Sequence, residues 1–180
     1  MISLKQTIRD IKGDLPVTNI LLGKIFLRNY FFSPRFRLLL NHRLGKYFFN
    51  KGGFFLNAIA LYYKNKMIVR RNCDISYNAS LGKNLRLPHP IGIVIGDGVI
   101  IEDDVMIFQQ VTFGSHGKKE IKAKEYPIIK SGVKIFAGAK IIGGITIGEN
   151  AVIGANSVVN IDIPPNTIAV GVPCRIIKKA

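Results

Sequence analysis

Residues 133–159 read VKIFAGAKIIGGITIGENAVIGANSVV, and the order of apolar residues in this stretch decides the fold. Ile135, Ile141, Ile147, Ile153 and Val159 recur at every sixth position. A small or β-branched residue stands two places before most of them, at Val133, Ala139, Ala151 and Ser157. An amphipathic helix would space its apolar residues three and four apart, and an antiparallel sheet would alternate between hairpin dipeptides. A six-residue period instead supplies one short strand and one turn per unit, wound into a parallel β-helix whose aliphatic side chains stack inside. Glycines directly after the aliphatics, as in Ile147-Gly148 and Ile153-Gly154, suit tight corners.

The same beat extends upstream in two other phases. Ile75, Leu81 and Leu87 keep one, with Ala79 in the small position; Ile95, Ile101, Ile107 and Phe113 keep another, with Val99, Val105 and Val111. Two interruptions separate the phases. The first is Pro88-His89-Pro90; the second runs from Gly114 to Pro127 and is polar, basic and glycine-containing. A repeat gains no stability by breaking its own stacking, and loops that leave a regular scaffold are where binding residues concentrate. His89 is therefore the leading candidate for the centre of the chemistry.

Residues 1–70 differ in character and are expected to form a basic, aromatic helical segment ahead of a β-helix domain over 71–180 that carries the loop 114–127. Thirteen Lys and Arg stand against Asp10 and Asp14 in this segment, which holds +11 of the chain's +15. Cap signals at Ser3, Thr18 and Ser33-Pro34 and the break at Gly52-Gly53 predict three or four short helices. They are expected to cover one end of the coils with their basic side chains solvated, leaving His42 a surface or packing residue. The alternative is a peripheral surface for an anionic membrane, since basic helices with Phe faces bind such interfaces. No nucleic-acid motif accompanies the charge, so no nucleic-acid partner is expected. Cys73 and Cys174 are far apart with no metal-ligand spacing, which excludes a disulfide framework and predicts no metal site. With no apolar leader, and with the uncharged stretch over Phe54–Tyr63 well short of a bilayer span, a cytoplasmic protein is expected. The inner face of the cytoplasmic membrane is the alternative location.

Several motifs together carry a family resemblance: DIxxxAxLG from Asp74, His89 fifteen residues later, IGIVIGDGVIIEDDV, QQVTFG, the stretch quoted above, and the closing IPPNTIAVGVPCRII. In this order and spacing, over residues 72–178, the chain resembles the hexapeptide-repeat acyltransferases and within them the serine O-acetyltransferase branch. The resemblance implies a left-handed parallel β-helix, a homotrimer with sites between subunits, and acetyl-CoA as acetyl donor without a metal. It also implies His89 as general base, Asp74 hydrogen-bonded to it, and an oxyanion donor in the Gly114-Ser115 turn. The small residues Ala137, Gly154 and Ala155 match positions that let the pantetheine arm approach the backbone, with Arg175 and Lys178 toward the CoA phosphates. This chemistry is sound on its own terms. An imidazole takes the proton of an alcohol as it attacks the thioester, a carboxylate fixes the tautomer, and backbone N–H groups hold the oxyanion.

Departures from the family bear on the acceptor. Pro88 stands where the branch has an aspartate before the histidine, and Tyr126 where it has a second histidine. His116 lies in the same loop. The N-terminal segment is also much shorter than the family's helical domain. Transfer to a sugar or glycan hydroxyl, as in capsule, O-antigen or exopolysaccharide synthesis, is accordingly the expected function. Serine O-acetylation in cysteine synthesis is the alternative, and a non-catalytic β-helix scaffold a second one.

Overall fold

The computed structural model describes residues 3–15, 22–117 and 125–179. Four helices come first: α1 (Leu4–Gly13), α2 (Leu22–Phe32), α3 (Pro34–Lys51) and α4 (Phe54–Arg71). The hydroxyls of Ser3 and Ser33 accept the N–H of Gln6 and Phe36 respectively, so both residues act as N-caps, and Pro34 opens α3. The cap expected at Thr18 lies outside the described residues. Gly52 and Gly53 take φ of 68° and 92°, a conformation that excludes most side chains, and they turn α3 back along α4. Helices α3 and α4 run eighteen residues each, longer than the short helices expected.

Fourteen strands follow among the described residues: β1 (Asp74–Ile75), β2 (Ser80–Leu81), β3 (Val94–Ile95), β4 (Ile100–Ile101), β5 (Met106–Ile107), β6 (Thr112–Gly114), β7 (Ile128–Ile129), β8 (Lys134–Ile135), β9 (Lys140–Ile142), β10 (Thr146–Ile147), β11 (Val152–Ile153), β12 (Val158–Val159), β13 (Thr167–Val170) and β14 (Arg175–Lys179). They form three faces of a prism. The first face stacks β1-β3-β6-β9-β12, the second β2-β4-β7-β10, and the third β5-β8-β11-β13, closed by antiparallel β14. This is the parallel β-helix that the six-residue spacing predicts, of the left-handed class that the family resemblance implies. Its register aligns Ile75, Ile95, Phe113, Ile141 and Val159 in one interior column. Ala79, Val99, Val105, Val111, Val133, Ala139, Ala151 and Ser157 are fully buried. Leu38, Leu39, Ala60 and Met67 of the helices continue this core without a break.

Charge in the helices has a structural use that the expectation of solvated side chains missed. Backbone N–H groups of the first coil donate toward the second, as Asp74 does to Ile93 and Ser80 to Val99. The carbonyls of Ile75, Ser76, Ala79, Leu81 and Gly82 face the helices instead, and buried carbonyls need donors. Side chains of α3 and α4 supply them: Lys64 to Ile75, His42 to Ser76, Lys46 to Ala79, and Arg43 to Leu81 and Gly82. Arg43 is only 5% exposed and is neutralised by Asp14, 3.2 Å away, and by Asp10 at 3.9 Å. The Tyr77 hydroxyl returns a bond of 2.8 Å to the Ala60 carbonyl, and burial pushes that phenol up.

The outer side of α4 is unlike this inner side. Phe54, Phe55, Leu61, Tyr62 and Val69 are all exposed there, as are Phe31 and Phe32 at the end of α2. No described helix is long and apolar enough to cross a membrane.

Candidate functional site

Both interruptions of the repeat become corner insertions, and each adjoins the first face. Leu87 to Ile95 spans eight residues where six would suffice, so Pro88-His89-Pro90 swells the corner that leads into β3. Phe113 to Ile129 spans sixteen, so the second insertion leaves the opposite edge of that face after β6. Ile129 resumes the interior column after it.

The His89 loop is tied down by its backbone while the side chain stays exposed. The His89 carbonyl accepts from the Ile91 N–H at 2.8 Å, the Cys73 thiol donates to the Pro90 carbonyl, and the Gly92 N–H donates to Asn72. The imidazole faces Phe108, centroid to centroid 6.4 Å, and Phe108 stacks on Phe136 at 5.0 Å. Successive coils repeat this corner directly below His89. Gln110 N–H bonds to Ile91, Gly138 to Gln109 and Asn156 to Ala137. Ala137, Gly154 and Ala155 therefore lie on the same corner as His89, a placement that only the coil arithmetic reveals. Ala137 is half-buried and Ala155 exposed. Gly154 has a packing reason of its own, because a Cβ there would sit 2.6 Å from Cγ1 of Val170. Arg175 is exposed on β14 opposite Val170. Lys178 pairs with Ile168 in the same strand, and its side chain lies outside the described residues.

Asp74 stands on the outward side of β1, half exposed, and its Oδ1 is taken by the ammonium of Lys64 rather than by His89. Lys64 also holds the Ile75 carbonyl at 3.1 Å, which fixes the ammonium at the start of the first face. The imidazole of His89 makes no hydrogen bond among the described residues. Among the described residues of one chain, then, the expected Asp74–His89 bond is absent, and Oδ2 of Asp74 has no partner.

The second insertion is on the far edge of the face. Gly114 continues β6 against Ile142, and its carbonyl accepts from the Gly143 N–H at 2.8 Å. The Ser115 hydroxyl accepts from the Gly117 N–H, and exposed His116 sits against Gly143, where any Cβ would collide with its ring. Residues 118–124 lie outside the described part. Tyr126 is half-buried with its ring over Gly96 and Gly98; a Cβ on Gly98, already at φ +68°, would come within 2.8 Å of it. This tyrosine is locked by packing on its own chain. Six extended residues at about 3.3 Å each separate the His89 corner from the edge that carries Gly114, Ser115, His116 and Tyr126, on the order of 20 Å. One chain alone does not bring them together.

The aromatic pair Phe108 and Phe136 was not singled out by sequence reasoning. Its signal is positional: each follows the buried Ile of a third-face strand, where Gly154 follows Ile153 one coil further on. Among the described residues there is no cluster of three or more His, Cys, Asp or Glu able to hold a metal ion.

A prism of hexapeptide turns with a histidine loop at one corner and a long loop at the next defines the hexapeptide-repeat class. Residues 126–160 match the family model described as bacterial transferase hexapeptide (six repeats). The serine acetyltransferase of Salmonella typhimurium is 44% identical over 144 residues, covering 80% of this chain and 51% of that protein. That of Buchnera aphidicola from Schizaphis graminum is 39% identical over 176 residues, covering 98% of this chain and 65% of that one. A serine acetyltransferase solved in complex with CoA superposes with a TM-score of 0.79 at 32% identity, covering 97% of this chain and 71% of that one. The chain belongs to the serine acetyltransferase family. It spans about half the length of the Salmonella relative.

These findings correct the expected acceptor. The sugar reading rested on Pro88, Tyr126 and an N-terminal segment taken for a replacement of the family's helices. Likeness over 97–98% of the chain instead includes those helices in the shared fold, and the relatives are serine acetyltransferases, not glycan-modifying enzymes. The sugar, capsule and exopolysaccharide reading is set aside.

Proposed function

We propose that this chain transfers the acetyl group of acetyl-CoA to the hydroxyl of serine, giving O-acetylserine and CoA. The carrying observation is its membership of the serine acetyltransferase family along nearly its whole length, one solved relative being a CoA complex. Geometry supports the same reading. The exposed imidazole of His89 heads a corner column through Phe108 and Phe136 to Ala137 and Ala155, a strip along which an extended pantetheine arm fits, with Arg175 toward its phosphates.

In this proposal His89 takes the serine hydroxyl proton as that oxygen attacks the thioester carbonyl. The tetrahedral oxyanion is held by backbone N–H at the Gly114-Ser115 turn. Collapse breaks the C–S bond, and His89 returns the proton to the departing CoA sulfur. Asp74, held in place by Lys64, offers its second oxygen to an imidazole N–H and steadies the imidazolium. Because His89 and the Gly114-Ser115 turn occupy opposite edges of the first face, the proposal includes assembly: a neighbouring copy lends its loop to this chain's histidine corner. A homotrimer, which the family resemblance implies, is proposed as that assembly. A cytoplasmic location is proposed with it. Serine-dependent release of CoA thiol from acetyl-CoA tests the reaction; release that ignores serine would refute it.

A further inference from the structure

A cavity of about 410 Å³ opens directly beside the histidine loop. Asn29, Phe32 and Arg35 from the α2–α3 joint form one wall, and Pro88 and Pro90, the two neighbours of His89, form the other. It is the right scale for a small acceptor rather than for CoA. Arg35 is half-buried, and one of its nitrogens donates to the Asp14 carbonyl oxygen at 2.5 Å, not to a carboxylate. Its other N–H groups have no partner among the described residues. The guanidinium of Arg86 lies near enough to add positive charge.

No carboxylate lines the cavity among the described residues. Asp14 lies close enough for its charge to act on Arg35, but its carboxylate is hydrogen-bonded to Arg43 and only 1% exposed, while Asp10 also faces Arg43. A partly buried guanidinium presents a planar fork that matches a carboxylate, and such a group left unpaired is costly.

We propose that Arg35 is the receptor for the α-carboxylate of the acceptor amino acid, which lies in the cavity between the α2–α3 joint and the Pro88-His89-Pro90 loop with its hydroxyl toward His89. This rests on the serine reading above and adds a specificity residue from the helical cap. It also gives Pro88 a role as an apolar wall in place of a polar contact. The cap thus selects the acceptor, and the β-helix supplies the base and the donor strip.

The test compares L-serine with serinamide, which keeps the hydroxyl and amine but lacks the carboxylate, in the full chain and in Arg35→Gln and Arg35→Lys. The unaltered protein prefers serine. Arg35→Gln lowers kcat/KM for serine roughly 10- to 100-fold, the loss of a charge-assisted hydrogen bond, while serinamide turnover and the KM for acetyl-CoA hold steady. Arg35→Lys recovers part of the preference. Equal losses on both acceptors would reveal a purely structural Arg35, acting through the Asp14 carbonyl, and would overturn the inference. So would an unchanged preference. If the unaltered protein uses no serine at all, the serine reading itself falls; if it uses serine and the ratio ignores Arg35, only this inference falls.

Discussion

His42 should make the protein acid-sensitive, and the size of the effect follows from its surroundings. The ring is fully buried, its Nε2–H donates to the Ser76 carbonyl at 3.0 Å, and its Nδ1 has no partner among the described residues. Protonating Nδ1 would bury a cation beside Arg43, Lys46 and Lys64. Burial first and Arg43 second push its pKa down to about 3, from 6.5 for the free side chain. Below pH 6.5 the unfolded chain binds a proton that the folded one refuses, so stability falls as pH falls and is fully retained above that value. At pH 5 the loss is about 2 kcal/mol, from ~1.4 kcal/mol per pH unit. Burial pushes the Asp14 carboxyl up, which acts in the opposite sense and is common to both proteins compared. His42→Gln keeps an N–H donor for Ser76 and removes the titration. Urea unfolding at pH 7.5 and pH 5.0, at fixed protein concentration, should show the unaltered protein losing about 2 kcal/mol more than the variant. Equal losses would refute the reasoning, as would an imidazole signal for residue 42 that titrates near pH 6.5.

Two further predictions concern assembly and surface. Mixing His89→Ala chains with Ser115→Pro chains, each inactive alone, should restore activity at interfaces that pair an intact His89 with a neighbour's intact loop, about a quarter of those formed at random; no recovery would place the whole site in one chain. The exposed Phe54, Phe55, Leu61 and Val69 of α4, on helices with no free carboxylate, are complementary to an anionic lipid interface, and we propose that the protein binds there peripherally. It should sediment with vesicles of phosphatidylglycerol and phosphatidylcholine, less with phosphatidylcholine alone, and less after Phe54→Ser with Phe55→Ser; equal sedimentation in all three would remove the membrane from the account.

The β-helix was legible because its register is written directly in the sequence. Every stacked aliphatic from Ile75 to Val159 obeys the six-residue spacing, and the two interruptions became the two corner insertions. Relations across the fold were less legible. That Lys64, ten residues before Asp74, holds its carboxylate depends on how α4 lies along the first coil, and no periodicity reports that. Arg43 and Lys46 read as solvated charge, and His42 as a surface or packing residue, because a sequence does not show which carbonyls an uncapped coil leaves open. Arg35 was likewise indistinguishable from its basic neighbours until the α2–α3 joint came to rest against Pro88. The acceptor was misjudged for a related reason: Pro88, Tyr126 and a short N-terminal segment were weighed against family likeness in the β-helix alone, when the likeness extends through the helices.

The central claim is acetyl transfer to serine by His89, and CoA thiol release from acetyl-CoA tests it most directly. With the full chain, release should depend on L-serine and saturate with it, and His89→Ala should lower kcat by about 10²- to 10⁴-fold while the protein stays folded and still binds CoA. Release that is indifferent to serine, or a His89→Ala variant as fast as the unaltered protein, would contradict the account.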